Sequence, residues 1–341
     1  MPAVWLPYGS TSISIRVDPE DLAWVASRGL NTDYSGLIPS LKNSLRETAK
    51  DGSVLLVDPT LPPALKEGLA GNFKELLSFD LLSPASSLEG SFQSACLLSY
   101  PHPDPLIGFR GLGENLFLFY PGLWKEFTTG FLEAVESRGK IDLKPYLNTL
   151  CNYVELKITM VIPLASGQKI LLLESPAEAY EALSNLEPRI LFSTQTPVEV
   201  LTVSAGGSPF DESLSRAMTV IPNCLQGAEC DRVLLVAEGL KGLGLPPDLI
   251  AENDEPNAPL IIKYIGFCRE LLNGKNVHVV SAIPESLLRT VLDCRAHDTL
   301  LDAYRASRLF LQKGSKTGIV THASFTVLRF SKFENPLREE A

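Results

Sequence analysis

The chain has 341 residues, enough for about two domains. Its net charge is −10 and no Lys/Arg cluster stands out, which argues against nucleic acid or an anionic membrane as partner. Apolar residues make up 45%, ordinary for a soluble protein, and no run of about 18 of them is present to span a bilayer.

The first residues, Met-Pro-Ala-Val-Trp-Leu, lack the basic-then-apolar pattern of a signal peptide. From Val4 to Val17 the chain alternates, with Ile13, Ile15 and Val17 apolar, which predicts a half-buried strand or hairpin arm. A short helix is expected over Asp21–Arg28 and an amphipathic one over Ser40–Lys50. Ser53–Val57 reads as a compact strand ending in Asp58-Pro59-Thr60-Leu61-Pro62. An Asp just past a buried strand is well placed for function in an α/β fold, and equally suited to an Asx-turn before a proline-started helix.

A helix is expected over Ala64–Leu77, a loop over the Ser-rich 83–94, and a strand over Ala95–Ser99. Three prolines and three glycines between Tyr100 and Gly113 leave little room for regular structure. That segment also carries His102, Asp104 and Arg110. These read as an acid–base group with a carboxylate-binding arginine, or as solvated loop charges. Leu116–Tyr120 is expected to be a strand and Trp124–Ser137 a helix. Two strands, Val154–Ile162 and Lys169–Leu173, precede a helix at Pro176–Leu186. The break at Leu186–Arg189 suggests domains at 1–187 and 188–341.

The second half alternates regularly. Strands are expected at Val198–Ser204, Val233–Ala237, Val277–Val280 and Thr317–Thr321. Helices are expected at Pro209–Ile221, Leu260–Leu272, Glu285–Leu292 and Thr299–Leu311, the last capped by Asp298. Ala251–Pro256 is an acidic stretch. A βαβα pattern with unbroken apolar strands predicts a doubly wound, mainly parallel sheet. The stretch Val203–Met218 carries the strongest local signal: strand, Gly206-Gly207 break, then a helix with Ser208 at the N-cap, Pro209 first and Asp211 at the capping-box position. Backbone N–H groups at such a helix start, with Arg216 on the helix, suit a carboxylate or phosphate; equally, the glycines serve a tight turn.

The six cysteines and four histidines show neither C-x-x-C pairs nor ligand spacing. Reduced thiols in the cytoplasm are therefore expected, with no metal site. His278 and His322 fall in or just after predicted strands and read as structural, His297 as a surface residue.

Several short motifs, in order, resemble the nickel-pincer lactate racemase family. They are Leu6-Pro7-Tyr8-Gly9; Val57-Asp58-Pro59-Thr60-Leu61-Pro62; Gly108-Phe109-Arg110-Gly111 with Pro121-Gly122; Ser204-Ala205-Gly206-Gly207-Ser208-Pro209; and Ala237-Glu238-Gly239. The resemblance implies two α/β domains with a substrate cleft between them. It also implies racemisation at C2 of a 2-hydroxy acid on a nickel ion held by a lysine-tethered pincer cofactor. The expected ligand class is a 2-hydroxy or sugar acid, with Asp58, His102 and Asp104 as acid–base candidates and Thr60, Arg110, Gly206, Gly207 and Arg216 as binding candidates. The family's polar set is largely replaced. Asp104 stands at a histidine position, Leu61 at an arginine position, and Arg216 and Thr219 at glutamine and lysine positions. No lysine follows the glycine signature before Lys125. The expectation is therefore a divergent protein without the pincer cofactor: a different enzyme, or a non-catalytic binding, sensor or scaffold protein.

Overall fold

The computed structural model describes residues 3–27, 34–48, 54–69, 76–78, 94–164, 167–185, 191–226, 228–244 and 260–330. The expected features over Ser83–Ser94 and Ala251–Pro256 lie outside them, apart from Ser94 itself. The chain forms two compact units. Unit 1 comprises Met1–Ser27, Arg189–Gly244 and Cys268–Ala341; unit 2 comprises Arg28–Pro188 and Leu245–Phe267. The expected contiguous division at 187/188 is therefore corrected: the N-terminal 27 residues group with the C-terminal half.

Unit 1 is built on a six-stranded sheet. Its strands are β3 (Leu22–Ala26), β12 (Val200–Ser204), β13 (Arg232–Val236), β14 (Asn276–Val280), β15 (Cys294–His297) and β16 (Thr317–Val320). The order is β15-β14-β13-β12-β16-β3, with every pair parallel. All five residues of β12 and all four of β16 are buried, as a sheet covered on both faces requires. The N-terminal hairpin, β1 (Ala3–Tyr8) with β2 (Thr11–Arg16), is antiparallel. Its alternation has a clear physical cause: Leu6, Ile15 and Val17 pack with Leu234, Val236, Val280, Leu300, Tyr304 and Ile319 in one core.

Unit 2 carries a five-stranded sheet ordered β10-β9-β6-β4-β5. These strands are β4 (Val54–Val57), β5 (Leu76–Ser78), β6 (Ser94–Ser99), β9 (Glu155–Leu164) and β10 (Gly167–Leu173). All pairs are parallel except the β9–β10 hairpin. Helices α1 (Ile38–Thr48), α2 (Pro63–Leu69), α3 (Pro121–Ser137), α4 (Lys144–Leu150) and α5 (Pro176–Ser184) complete it, with buried Phe117, Phe127, Phe131 and Tyr264 in its core. Among the described residues no helix is long and apolar enough to cross a membrane.

Several expected elements are corrected. Leu22–Ala26 is a strand, not a helix: five residues are too few for periodicity to tell the two apart, and pairing with β16 decides it. Leu116–Tyr120 is not a strand; Glu114–Phe119 is a 3-10 helix entered through left-handed Gly113. The segment after Tyr100 does hold regular structure, a small antiparallel pair of β7 (His102–Asp104) and β8 (Gly108–Arg110). Pro209–Ile221 is not one helix. Helix α6 (Leu214–Met218) is capped by Ser213, not Ser208, and Pro222 sits in the first turn of a separate helix, α7 (Ile221–Leu225). The last helix, α10 (Leu300–Ser307), is capped by Thr299 in place of Asp298. The remaining helices are α8 (Leu260–Leu272) and α9 (Glu285–Val291), and a short parallel pair joins β11 (Leu191–Thr194) to β17 (Val327–Phe330).

Candidate functional site

In unit 2 the sequence candidates meet beyond the carboxyl ends of β4 and β6. Asp58 follows β4 and is 2% exposed. Its Oδ1 accepts from the Thr60 backbone N–H at 2.8 Å and the Thr60 hydroxyl at 2.7 Å, and its Oδ2 from the Tyr100 N–H at 3.2 Å. The Asx-turn reading thus describes what Asp58 does, and the same carboxylate ties the ends of two neighbouring strands. Burial raises its pKa, against the lowering effect of the Thr60 and Tyr100 hydrogen bonds. Gly111, at φ +88°, lets the backbone pass where a Cβ would lie 2.2 Å from Asp58 Oδ2.

Glu114 was not among the sequence candidates. It is 2% exposed; its two oxygens accept from the Gly111 N–H at 2.7 Å and the Leu112 N–H at 2.8 Å. Burial foremost, with the Asp58 charge adding to it, raises its pKa to about 7. A cavity of about 20 Å³, room for about one water, borders Asp58, Gly111, Gly113 and Asn115. The signal in the sequence was an acid placed directly after a run of glycines.

His102 and Arg110 are directly paired across β7 and β8. Asp104 is 2% exposed and accepts four hydrogen bonds: Leu106 N–H at 2.8 Å, Ile107 N–H at 3.2 Å, Arg110 Nε at 2.5 Å and the Tyr264 hydroxyl at 3.1 Å. The Arg110 guanidinium lies 4.8 Å from the centroid of the Tyr264 ring. The reading of these residues as solvated loop charges is therefore corrected: His102 and Asp104 are buried and Arg110 is ion-paired. His102 Nδ1 lies 3.4 Å from the Tyr100 carbonyl, so Asp58, Thr60 and His102 all touch the Tyr100 backbone.

In unit 1 the sheet reverses its order between β12 and β16, and such a switch point is where open α/β sheets bind ligands beyond the strand ends. Gly206 and Gly207 follow β12; His322 and Ser324 follow β16. A Cβ on Gly206 would lie 2.6 Å from the Ser324 hydroxyl, and one on Gly207 would lie 3.0 Å from the Gly9 carbonyl. The two glycines, with φ of +109° and +78°, thus allow the tip of the N-terminal hairpin and the β16 loop to pack against the turn. The Ser204 hydroxyl donates to the Pro7 carbonyl at 2.8 Å, and the Ser208 N–H to the Gly9 carbonyl at 2.8 Å. Burial lowers the His322 pKa to about 4.

Asp211 is not a capping-box residue. It is fully buried, and its Oδ2 accepts from the Gly9 N–H at 2.7 Å and the Glu238 N–H at 3.3 Å. That demand on its side chain explains why the helix waits until Leu214. Arg216 lies on α6 but turns to Glu212, at 3.6 Å, not to the glycines. Glu212 also accepts from Lys241 at 2.6 Å and the Ser208 hydroxyl at 2.9 Å. His278 is buried as expected, but His297 is not a surface residue: it is half-buried, and its Nε2 lies 2.8 Å from His278 Nδ1.

No protein-family model matches the chain, and no curated relative does. Solved structures do. The lactate racemase apoprotein from Thermoanaerobacterium thermosaccharolyticum superposes with a TM-score of 0.60 at 14% identity, covering 96% of this chain and all of that one. A structural-genomics protein from Thermotoga maritima superposes at 0.55 and 12% identity, over 90% of this chain and all of that one. The protein therefore has the lactate racemase fold, as its motif order implied; at such identities the likeness is one of fold.

Proposed function

We propose that this protein is a cytoplasmic binding protein built on the lactate racemase fold, taking a small 2-hydroxy or sugar acid and not acting as a nickel-pincer racemase. One observation carries the reading: the buried acids beside the glycine-rich segment serve as structural ties. Both oxygens of Asp58 and of Glu114 accept backbone N–H groups, and Asp104 holds two backbone amides, Arg110 and Tyr264. The donor set around Gly108–Gly113 fits the pincer group poorly. It consists of carboxylates already engaged, Arg110 bound to Asp104, and one imidazole, His102, beside the Tyr100 carbonyl; the lysine beside Gly108, Lys140, is exposed and comes from beyond α3. The acid ligand is supported by the retained fold and by the switch point with its Gly206-Gly207 turn. The cytoplasmic setting is supported by six free thiols.

The test has two arms. Incubation of D- or L-lactate with the protein, nickel and the pincer cofactor, followed by chiral chromatography and intact mass, should give neither the other enantiomer nor an adduct; either product overturns the reading. Thermal unfolding with 2-hydroxy acids and sugar acids should show stabilisation by one of them, about 2.7 kcal/mol at 100-fold its Kd. No shift with any acid removes the ligand class.

A second reading, a divergent enzyme, is favoured by Glu114, whose carboxyl near 7 suits proton transfer at neutral pH. Any turnover found should then fall by at least 10²-fold in Glu114→Gln; unchanged turnover removes Glu114 from it.

A further inference from the structure

In unit 1, Phe310 is unfavourable to the single chain in two ways. Its φ is +65°, in the left-handed region that strains a bulky side chain, at the turn after α10 where glycine is the usual residue. Its side chain is also 98% exposed, so no burial offsets the strain, and neighbouring Leu309 is 53% exposed. The turn is nevertheless held firmly. Arg232 Nη1 donates to the Ser307 and Leu309 carbonyls, each at 2.6 Å, and the Leu311 N–H donates to the Arg308 carbonyl at 3.1 Å. An aromatic tip kept in a fixed shape, with nothing gained inside its own chain, has the character of an anchor for another surface. From Arg305 to Lys316 the segment carries four Lys and Arg and no acid. Arg308 pairs with Asp21, while Arg305 and Lys313 are exposed.

Unit 2 carries a surface of matching chemistry. A groove of about 410 Å³, within the range that takes a small ligand, lies where α4 runs into β9 and β10 runs into α5. Buried Val154 and Leu156 line it beside Tyr153, which stacks on Tyr120 with ring centroids 4.7 Å apart and is itself 51% exposed. Exposed Glu155 and Glu174 form its rim, the latter with Lys157 at 2.9 Å. Unit 2 also holds nearly all of the chain's net charge of −10. We propose that copies of this protein associate head to tail, with Leu309 and Phe310 of one copy seated against Tyr153 in the groove of the next. An aromatic tip with basic flanks meets an aromatic groove with an acidic rim. The two surfaces differ, so the contact is heterologous and builds a ring or an open chain instead of a symmetric pair. So small a contact gives weak, concentration-dependent association. Neither surface uses a residue proposed to hold the organic acid.

The test uses the full chain. Sedimentation from micromolar to millimolar protein should show a rising mean mass. Phe310→Gly should raise the dissociation constant at least tenfold, yet also raise the urea midpoint of the dilute monomer, because it relieves the strained turn. Tyr153→Ala should weaken association to the same degree. Mixing these two variants should restore a dimer, since each supplies the surface that the other lacks; a symmetric contact would stay broken. Of the six thiols Cys151 alone is exposed, and it lines the groove. With Gln312→Cys, which keeps Phe310, oxidation by diamide should join residue 151 of one copy to residue 312 of the next, as read by peptide mass spectrometry. A chain that is monomeric at every concentration, association indifferent to Phe310→Gly, a variant mixture that stays monomeric, or disulfides joining only like residues overturns the proposal. So does a monomer whose Phe310 tip binds phosphatidylserine vesicles.

Discussion

Asp104 and Arg110 form an ion pair whose side chains are 2% and 12% exposed. Truncating one partner strands the other charge, which costs about 3–5 kcal/mol in such settings. Asp104→Ala should lower the urea unfolding free energy by that order. Glu181→Ala, which breaks the exposed Lys144–Glu181 pair, should change it by less than about 1 kcal/mol. Two other buried groups give opposite pH dependences. His278 is held near 4, below its ordinary 6.5, by burial and by neighbouring His297. The unfolded chain takes up its proton first, so the stability due to neutral His278 is whole above pH 6.5 and lost as pH falls towards 4. Glu114 is held near 7, above its ordinary 4.5. Its contribution is whole below pH 4.5 and lost as pH rises through 7, on the order of 3 kcal/mol. Unfolding measured from pH 4 to 8 should show a shallower acid decline in His278→Phe and, in Glu114→Gln, no loss on rising through 7. The opposite slopes would exclude these assignments.

At the scale of elements, sequence periodicity read the helices and buried strands well where one face decides the matter. Leu260–Leu272 and the alternating hairpin are such cases. It misread segments whose conformation is set by distant partners. Asp211 looks like a helix cap because its neighbours in sequence suit a cap; its real partners, Gly9 and Glu238, lie 202 and 27 positions away. Glu114 was passed over for a similar reason: its importance comes from burial beside Asp58, which no spacing reveals. Asp58 with Thr60 was legible as a strand end, and His102 with Asp104 and Arg110 as a polar group; that the two sets follow neighbouring strands was not. Nor was their engagement with backbone amides. Glycines divide likewise by surroundings. Gly111→Ala should destabilise by at least about 1–2 kcal/mol, from its positive φ and the Asp58 carboxylate in the way. Gly266→Ala, within α8 and with open space around it, should stabilise by about 0.5–1 kcal/mol. Denaturant midpoints of the two variants moving in the same direction would refute this contrast.

For the whole molecule, the interleaved division of the chain matters more than its length. A fragment of residues 1–187 contains the hairpin without the core it packs on, β3 without the rest of its sheet, and unit 2 without Tyr264, which binds Asp104 and lies 6.1 Å from the Phe131 ring. That fragment should show no cooperative unfolding transition by circular dichroism, and neither should 188–341. A sharp transition in either would mean that the contiguous halves are autonomous after all.

Strand β3 has a consequence for synthesis on the ribosome. Among the described residues its one neighbour in the sheet is β16, and the Thr321 N–H that bonds to Ala26 is made 295 residues later. At about 5–20 residues per second the ribosome needs roughly 15–60 s to cover that interval. During that time the hairpin and β3, with Leu6, Ile15 and Val17 uncovered, lack the strands they pack against. Every residue of unit 2 has been made by Phe267, before β14 to β16 exist. Unit 2 is thus free to fold while the hairpin and β3 still wait, and that waiting segment offers a nascent-chain chaperone an apolar target.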